Sequence, residues 1–530
     1  MRRAFRFAAG VAMVAGLGAP SMGQINGPRN GQHPDVIVSS VGGTYDTTNS
    51  NAIGFYGVSG GVASYAIGSD SCNIGTAPAI WITSGSVNTW GAQLNQHPVI
   101  GGAVYRLYRG RFEQIGISWL KHGFCASDSC STGNNSGGSS GCVNIGNPAP
   151  GQSGCVRDLG NLTGGTTSCD WLGYGRATDT YVQSLNGQQG YLGPRSEVNP
   201  WTGVYPYPYV LNGSNPTACL NKRLLVANAD LDAAAYPRYN ASTNPTGAQF
   251  FAEVVYIVTD EWPTERYNNY SYRRLYPSAT TSTSTATNCT GAYYPLSFST
   301  GTGNLTVALH PAIDGWKSVD PSISLVTVDV PNDGRFYVGA KATDLGNGTW
   351  QYEYAVFNMN VDRAFGSLSI PKANSGAVQI NSLGFHAPAY HSGEIYSNAP
   401  WTGSIGASSI DWATTPYSVN QSASAIRWST MFNFRFIANQ PPKTTATVRL
   451  GLFKPAVISG DPSFIDVGGL PVPGDPLCRV DFNHANGLSV QDVFDFLNAW
   501  FAADPAADFN GGGLSVADIF DFLNAWFLGC

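Results

Sequence analysis

The chain has 530 residues, of which 12% are charged, with 28 Lys and Arg against 34 Asp and Glu and a formal net charge of −6. That balance argues against a nucleic-acid partner, because phosphate recognition needs clustered Lys and Arg and no such cluster occurs. Gly, Ser, Thr, Asn and aromatic residues abound instead, giving a surface solvated by hydroxyls and amides as in secreted β-rich proteins.

The first 23 residues read as a secretory signal peptide: basic Met1-Arg2-Arg3-Ala4-Phe5-Arg6, a short apolar stretch from Phe7 to Ala19, then small residues around Ser21-Met22-Gly23. The Arg2-Arg3-x-Phe5 pattern leaves twin-arginine export open beside ordinary secretion. Removing Arg2, Arg3 and Arg6 would take the formal charge from −6 to −9. The apolar stretch is too short to span a bilayer and no longer one follows, so no membrane helix is expected in the mature chain. The expected location is secreted, extracellular or on the cell surface. All ten cysteines (Cys72, Cys125, Cys130, Cys142, Cys155, Cys169, Cys219, Cys289, Cys478 and Cys530) follow the leader, and export with an even count predicts disulfides. The short Cys-x-x-Cys spacing of a zinc site is missing.

Residues 24–277 predict an irregular β-rich domain. Its clearest hairpin joins Val104-Tyr105-Arg106-Leu107-Tyr108 to Phe112-Glu113-Gln114-Ile115-Gly116-Ile117 across Arg109-Gly110-Arg111, where Gly110 can take a positive φ. Glu113 is expected on the solvent side of its strand. A Gly/Ser/Asn-rich insertion between about 123 and 175 carries five cysteines and needs disulfides to be held. Residues 278–288 read as a Ser/Thr linker or exposed loop. Residues 289–453 contain about seven strand-like segments and predict a β-sandwich, with Trp350, Tyr352 and Tyr354 on one face. The Pro-rich segment 454–476 reads as an extended linker.

Within this body, few residues point to chemistry. His386 and His391 with Glu394 are spaced like metal ligands, but Pro388 breaks the helix that would align the imidazoles. Glu253, Asp260, Glu261 and Glu265 could supply an acid pair for glycoside hydrolysis, which requires carboxyls about 5 to 10 Å apart. Ordinary strand-end acids are the simpler account. The aromatic run from Trp201 to Tyr209 would permit sugar stacking, or equally core and rim packing.

The segment 477–530 repeats itself. Asp481-Phe482-Asn483, then Leu488-Ser489-Val490-Gln491-Asp492-Val493-Phe494-Asp495-Phe496-Leu497-Asn498-Ala499-Trp500-Phe501, returns as Asp508-Phe509-Asn510, then Leu514-Ser515-Val516-Ala517-Asp518-Ile519-Phe520-Asp521-Phe522-Leu523-Asn524-Ala525-Trp526-Phe527. Each copy predicts a helix, capped by Ser489 with Asp492 or Ser515 with Asp518 and apolar at helical spacing. In the first copy, Asp481, Asn483, Ser489 and Asp492 fall at positions 1, 3, 9 and 12 of a calcium-type loop. These residues resemble the dockerin modules of secreted bacterial enzymes, and the ending Gly529-Cys530 is similar to a variant of that family whose chains close on Gly-Cys.

The resemblance implies calcium held by Asp481, Asn483, Ser489 and Asp492 and by Asp508, Asn510, Ser515 and Asp518. It also implies a docking face of Val490, Gln491, Phe494, Leu497, Val516, Ala517, Phe520 and Leu523 that meets a cohesin-like or other surface receptor protein. Ala485 replaces an expected acid and the second loop is one residue short, so any calcium affinity should be weak. Cys478 and Cys530 bracket the module and could clasp its ends, an entropic gain of about 3 to 4 kcal/mol. The reading is therefore a mainly β protein with a β-sandwich-like body in two domains and a small α-helical tandem-repeat module. The body is read as non-catalytic and displayed or structural. Carbohydrate binding, polysaccharide degradation and, for the tail, a sorting signal are the alternatives.

Overall fold

A computed structural model describes residues 32–43, 52–81, 96–126, 142, 171–211, 217–298, 305–374, 378–391, 393–474, 479–483 and 488–528. The leader, Cys478, Gly529 and Cys530 lie outside these residues, and with them the expected clasp. The protein is mainly β and antiparallel in every named strand pair, with several sheets. Four short or medium helices are described: α1 (Gln183–Asn186), α2 (Asp314–Val319), α3 (Val490–Phe501) and α4 (Val516–Leu528). Among the described residues no helix is long and apolar enough to cross a membrane.

The first β region is organised around a large sheet. Its strands run in the spatial order Leu296–Phe298, Tyr270–Pro277, Gln249–Ile257, Val99–Tyr108, Arg111–Ile117, Leu224–Ala227, Val62–Ile67 and Ile53–Ser59. The expected hairpin is its centre. Tyr108 pairs with Arg111, and Arg109 (φ 50°) and Gly110 (φ 76°) form a two-residue turn, the geometry whose twist suits antiparallel strands. A bulge between Val104 and Tyr105 brings Gln114 opposite Tyr105. A second, three-stranded sheet, Val36–Val41, Ser69–Asn73 and Ala177–Tyr181, covers one face. Strand Gln249–Ile257 is buried at every position because both its faces are covered: Phe250, Val254 and Tyr256 enter that core, while Phe251, Val255 and Ile257 turn toward the second β region.

In the second region, two five-stranded sheets pack face to face. One is ordered Ser324–Asp329, Arg335–Asp344, Trp350–Asn358, Thr430–Ala438, Ile380–His386; the other Thr402–Ile405, Ser409–Ala413, Phe365–Pro371, Val448–Leu452, Phe464–Val467. Tyr352 and Tyr354 do share a face with Trp350. They are fully buried against Phe365, Leu368, Trp412, Phe434 and Leu450. The segment read as a Pro-rich linker contributes to this layer, since Phe464–Val467 pairs with Val448–Leu452 and Val472–Pro473 pairs with Pro442–Lys443. Alternation of Ile465, Asp466 and Val467 outweighs the flanking prolines. The Ser/Thr run likewise carries a small hairpin, Ser282–Ser284 against Gly291–Tyr293.

Disulfides join Cys72 to Cys142 and Cys219 to Cys289. Cys125 is also oxidised.

The two β regions share a buried layer: Tyr105, Phe112, Phe251 and Tyr270 from the first, Trp316 of α2, and Tyr337, Phe357, Met359, Trp428 and Met431 from the second. Polar bonds set its register. The Gln114 side chain donates to the Ser429 carbonyl (3.0 Å) and accepts from the Met431 amide (2.8 Å), and Asn433 donates to the Phe112 carbonyl (2.7 Å). Glu113, expected toward solvent, is instead 8% exposed and paired with Arg106 at 2.6 Å. Burial opposes its ionisation, but His386, Arg106 and Arg435 together hold its carboxyl below the ordinary glutamate value. Gln114→Ala is expected to cost about 1–3 kcal/mol by stranding two buried backbone groups. The check is a urea titration, in which the midpoint should fall for both regions together.

Candidate functional site

In the C-terminal repeat, each helix turns one stripe inward. Phe496 and Phe522 are fully buried and stack at 4.0 Å with 7° between ring planes, with Phe482 and Phe509 edge-on around them. The tryptophans lock the pair reciprocally: Trp500 Nε1 donates to the Ser515 carbonyl (2.9 Å) and Trp526 Nε1 to the Ser489 carbonyl (3.1 Å). Each repeat thus holds the N-terminus of the other's helix. Arg479 adds a bond to the Phe509 carbonyl (2.6 Å).

The acid at each helix start organises its loop. The Asp492 carboxylate accepts the Ser489 amide (2.8 Å) and hydroxyl (3.0 Å) and the Asn483 amide (3.2 Å). Asp518 repeats the pattern with Ser515 (2.7 and 3.2 Å) and Asn510 (3.1 Å). Burial raises the Asp492 carboxyl, but the Asn483 and Ser489 donors outweigh it and hold it below the usual aspartate value. The Asn510 amide does the same for Asp518, against burial and with help from Ser515.

The leading aspartates of the two loops are engaged differently. In the first, the Asp481 carboxyl lies beside Asp492, and its buried Oδ1 meets no donor among the described residues, a group that a hard cation would satisfy. In the second, Asp508 accepts the Gly511 and Gly513 amides (2.8 and 2.9 Å), and Asn510 Oδ1 accepts the Gly512 amide (2.9 Å). That loop is closed on its own backbone, so these oxygens are already engaged. Among the described residues no group of three or more His, Cys, Asp or Glu side chains is placed to hold a metal ion.

Among the described residues, the outer stripes of both helices are open to solvent. Val490 (59% exposed) and Phe494 (57%) on α3 match Val516 (57%) and Phe520 (63%) on α4. Gln491 and Ala517 are exposed beside them, and Leu497 and Leu523 are half-buried where the stripe meets the inner core. Phe501 and Phe527, outside the expected face, extend it and are more exposed still.

In the body, the suspected chemical residues serve as ties. His386 Nε2 lies 2.9 Å from the Gln114 carbonyl, and His391 Nε2 2.7 Å from the Leu220 carbonyl. Glu394 accepts the Arg195 amide at 2.6 Å. All three latch the second β region to the first rather than converging on one point. Glu253 accepts Tyr105 Oη and the Ala312 amide, both at 2.7 Å. Glu261 accepts the Val36 amide (2.7 Å) and Asn269 Nδ2 (2.6 Å). Burial pushes Glu253 up to about 7, opposed by those two donors, and lifts Glu261 well above the ordinary range. Tyr205, Tyr207 and Tyr209 are half-buried against His122, with ring centroids 5.2 to 5.3 Å away.

Beneath those tyrosines lie buried titratable groups that no sequence motif marks. His97 and His122 are buried and bonded to each other at 2.9 Å, and burial holds His122 well below the ordinary histidine value. Lys121 is 1% exposed, with Nζ over the rings of Tyr191 (4.2 Å) and Phe124 (4.6 Å), and burial lowers it to about 7. The only sequence signal was the tripeptide Leu120-Lys121-His122 in an otherwise apolar setting, which does not distinguish a buried strand from a surface one.

Compared with known proteins, the chain matches no family model, and no curated protein is significantly similar to it.

Two outcomes follow from this geometry. Phe496→Ala should destabilise the repeat by about 3–5 kcal/mol, measured by hydrogen exchange of α3 and α4 in the full chain. A carboxyl raised in the folded state, as Glu253 is, favours folding while protonated; its contribution is complete below about pH 4.5 and is lost as pH rises through about 7. The melting temperature should therefore fall across that window, and Glu253→Gln should flatten the fall, as followed by calorimetry at several pH values.

Proposed function

We propose that this chain is an exported protein held to a cohesin-like surface receptor by its C-terminal, dockerin-like repeat, with the β body displayed as a non-catalytic structural unit. The observation that carries this reading is the pair of matched outer stripes. Four exposed phenylalanines, Phe494, Phe501, Phe520 and Phe527, lie on two helices whose inner faces are already closed by Phe496, Phe522, Trp500 and Trp526. Exposed apolar surface of this extent on so small a unit has a favourable use only when a partner covers it. The tandem loop-helix pattern supports the same assignment. Calcium in this reading is held by Asp481, Asn483, Ser489 and Asp492. It adds charge compensation to the first loop, while the second loop is held by its own amides.

Calorimetric titration of the full chain with calcium chloride tests the metal. One weak site is expected, abolished in Asp481→Ala and retained in Asp508→Ala, because a ligand bound only by the folded loop must stabilise it. Two equal sites, or none at millimolar calcium, would remove calcium from the account and leave a sorting tag as the better description of the tail.

A further inference from the structure

Among the described residues, Trp262 is the one tryptophan left exposed, with 47% of its surface open to solvent. A lone exposed apolar side chain is ordinary in itself. What sets this one apart is the rigidity of its support and the chemistry at its edge. The loop that carries it is clamped by Arg266, which is buried and donates to the carbonyls of Trp201, Thr202 (3.2 Å), Val258 (3.2 Å) and Thr259 (3.2 Å). A turn bond from the Glu265 amide to the Trp262 carbonyl (3.0 Å) closes the loop on itself. Glu261, the residue before the indole, is fixed by the Val36 amide and by Asn269.

His33 backs the indole. Its imidazole stacks on Trp262 at 4.2 Å with 21° between planes, and its backbone is tied to Thr76 and Ala77. The same imidazole lies 3.8 Å from Glu265 Oε1. Behind Glu265 stands the buried Asp35, whose carboxylate accepts from Asn268 Nδ2 (3.0 Å). Burial, together with the neighbouring Glu265, pushes the Asp35 carboxyl up to about 7 against the bond from Asn268. An aromatic plane whose rotamer is locked loses little entropy when a ligand lands on it.

We propose that Trp262, backed by His33 and edged by Glu265, is a binding subsite for a neutral saccharide ring. The apolar C–H face of a pyranose covers the open side of the indole, and its hydroxyls donate to the carboxylate edge. The acid at that edge repels uronate or sulfated sugars, and the nearby cation, Arg266, is already committed to backbone carbonyls. The site is independent of the docking repeat, which lies elsewhere in the chain.

The test is affinity electrophoresis of the full-length protein through native gels containing dissolved mannan, xylan or β-glucan, with alginate as the anionic comparison. Retardation by at least one neutral polysaccharide and none by alginate is expected, with Trp262→Ala weakening it about tenfold and Glu265→Gln weakening it less. The double variant Phe494→Asp, Phe520→Asp should be retarded like the parent, which separates this site from the docking face. Because Trp262 is exposed, Trp262→Ala should melt with the parent protein. No retardation by any of the three neutral polymers, retardation by alginate alone, or an unchanged Trp262→Ala would each overturn the proposal.

Discussion

The layer buried between the two β regions is the constraint on which the rest of the body depends. Strand Gln249–Ile257 and strand Trp350–Asn358 are each covered on both faces, and each presents one of those faces to this layer. Neither region could leave the other without exposing Phe112, Phe251, Phe357, Trp316 and Trp428 to water, a loss of about 1.5–3 kcal/mol for each large side chain. Because such a surface is flat and apolar, polar groups must fix its register. Gln114, Asn433, His386 and Glu394 do so by bonding to backbone of the opposite region. The bulge at Val104 and Tyr105 belongs to the same arrangement, since it brings Gln114 opposite Tyr105.

A chain with few charges uses those it buries as anchors for backbone. Glu261 holds the Val36 amide, Glu253 the Ala312 amide, Glu394 the Arg195 amide, and Asp333 the amides of Asp362 and Arg363. In each case a carboxylate satisfies N–H groups of a segment distant in sequence or at a turn, where an unpaired amide would be costly. The raised carboxyls in this set are therefore consequences of structural burial. Perturbed titration marks function only where the group also has access to something it could act on. Glu253 and Glu261 do not meet that condition, since both are buried and already accept backbone amides.

The C-terminal repeat follows a different logic. Its core is four phenylalanine rings, its caps are two aspartates, and its two halves are cross-braced by indole bonds to the partner's helix start. The apolar residues at helical spacing divide into two populations. Phe496 and Phe522 close the module, whereas Phe494 and Phe520, two positions earlier, remain open. A helix with apolar residues on both sides cannot be read from periodicity alone, because both stripes satisfy the same 3.6-residue repeat.

What the amino-acid order determined by itself was local. Ser489 with Asp492 and Ser515 with Asp518 capped helices that formed where expected, because capping and helical periodicity act within a few residues. Arg109-Gly110 made its hairpin and Trp350, Tyr352 and Tyr354 took one strand face for the same reason. Tertiary structure decided everything that depended on a second surface. It put Glu113 inside, drew Phe464–Val467 out of a Pro-rich segment into a sheet, and turned His386, His391 and Glu394 from possible ligands into ties between regions. It also brought His33, Asp35, Trp262 and Glu265 together across more than two hundred residues. No pattern in the chain encodes that meeting, because it is set by which strands pair and which faces are covered, and those are properties of the packed whole.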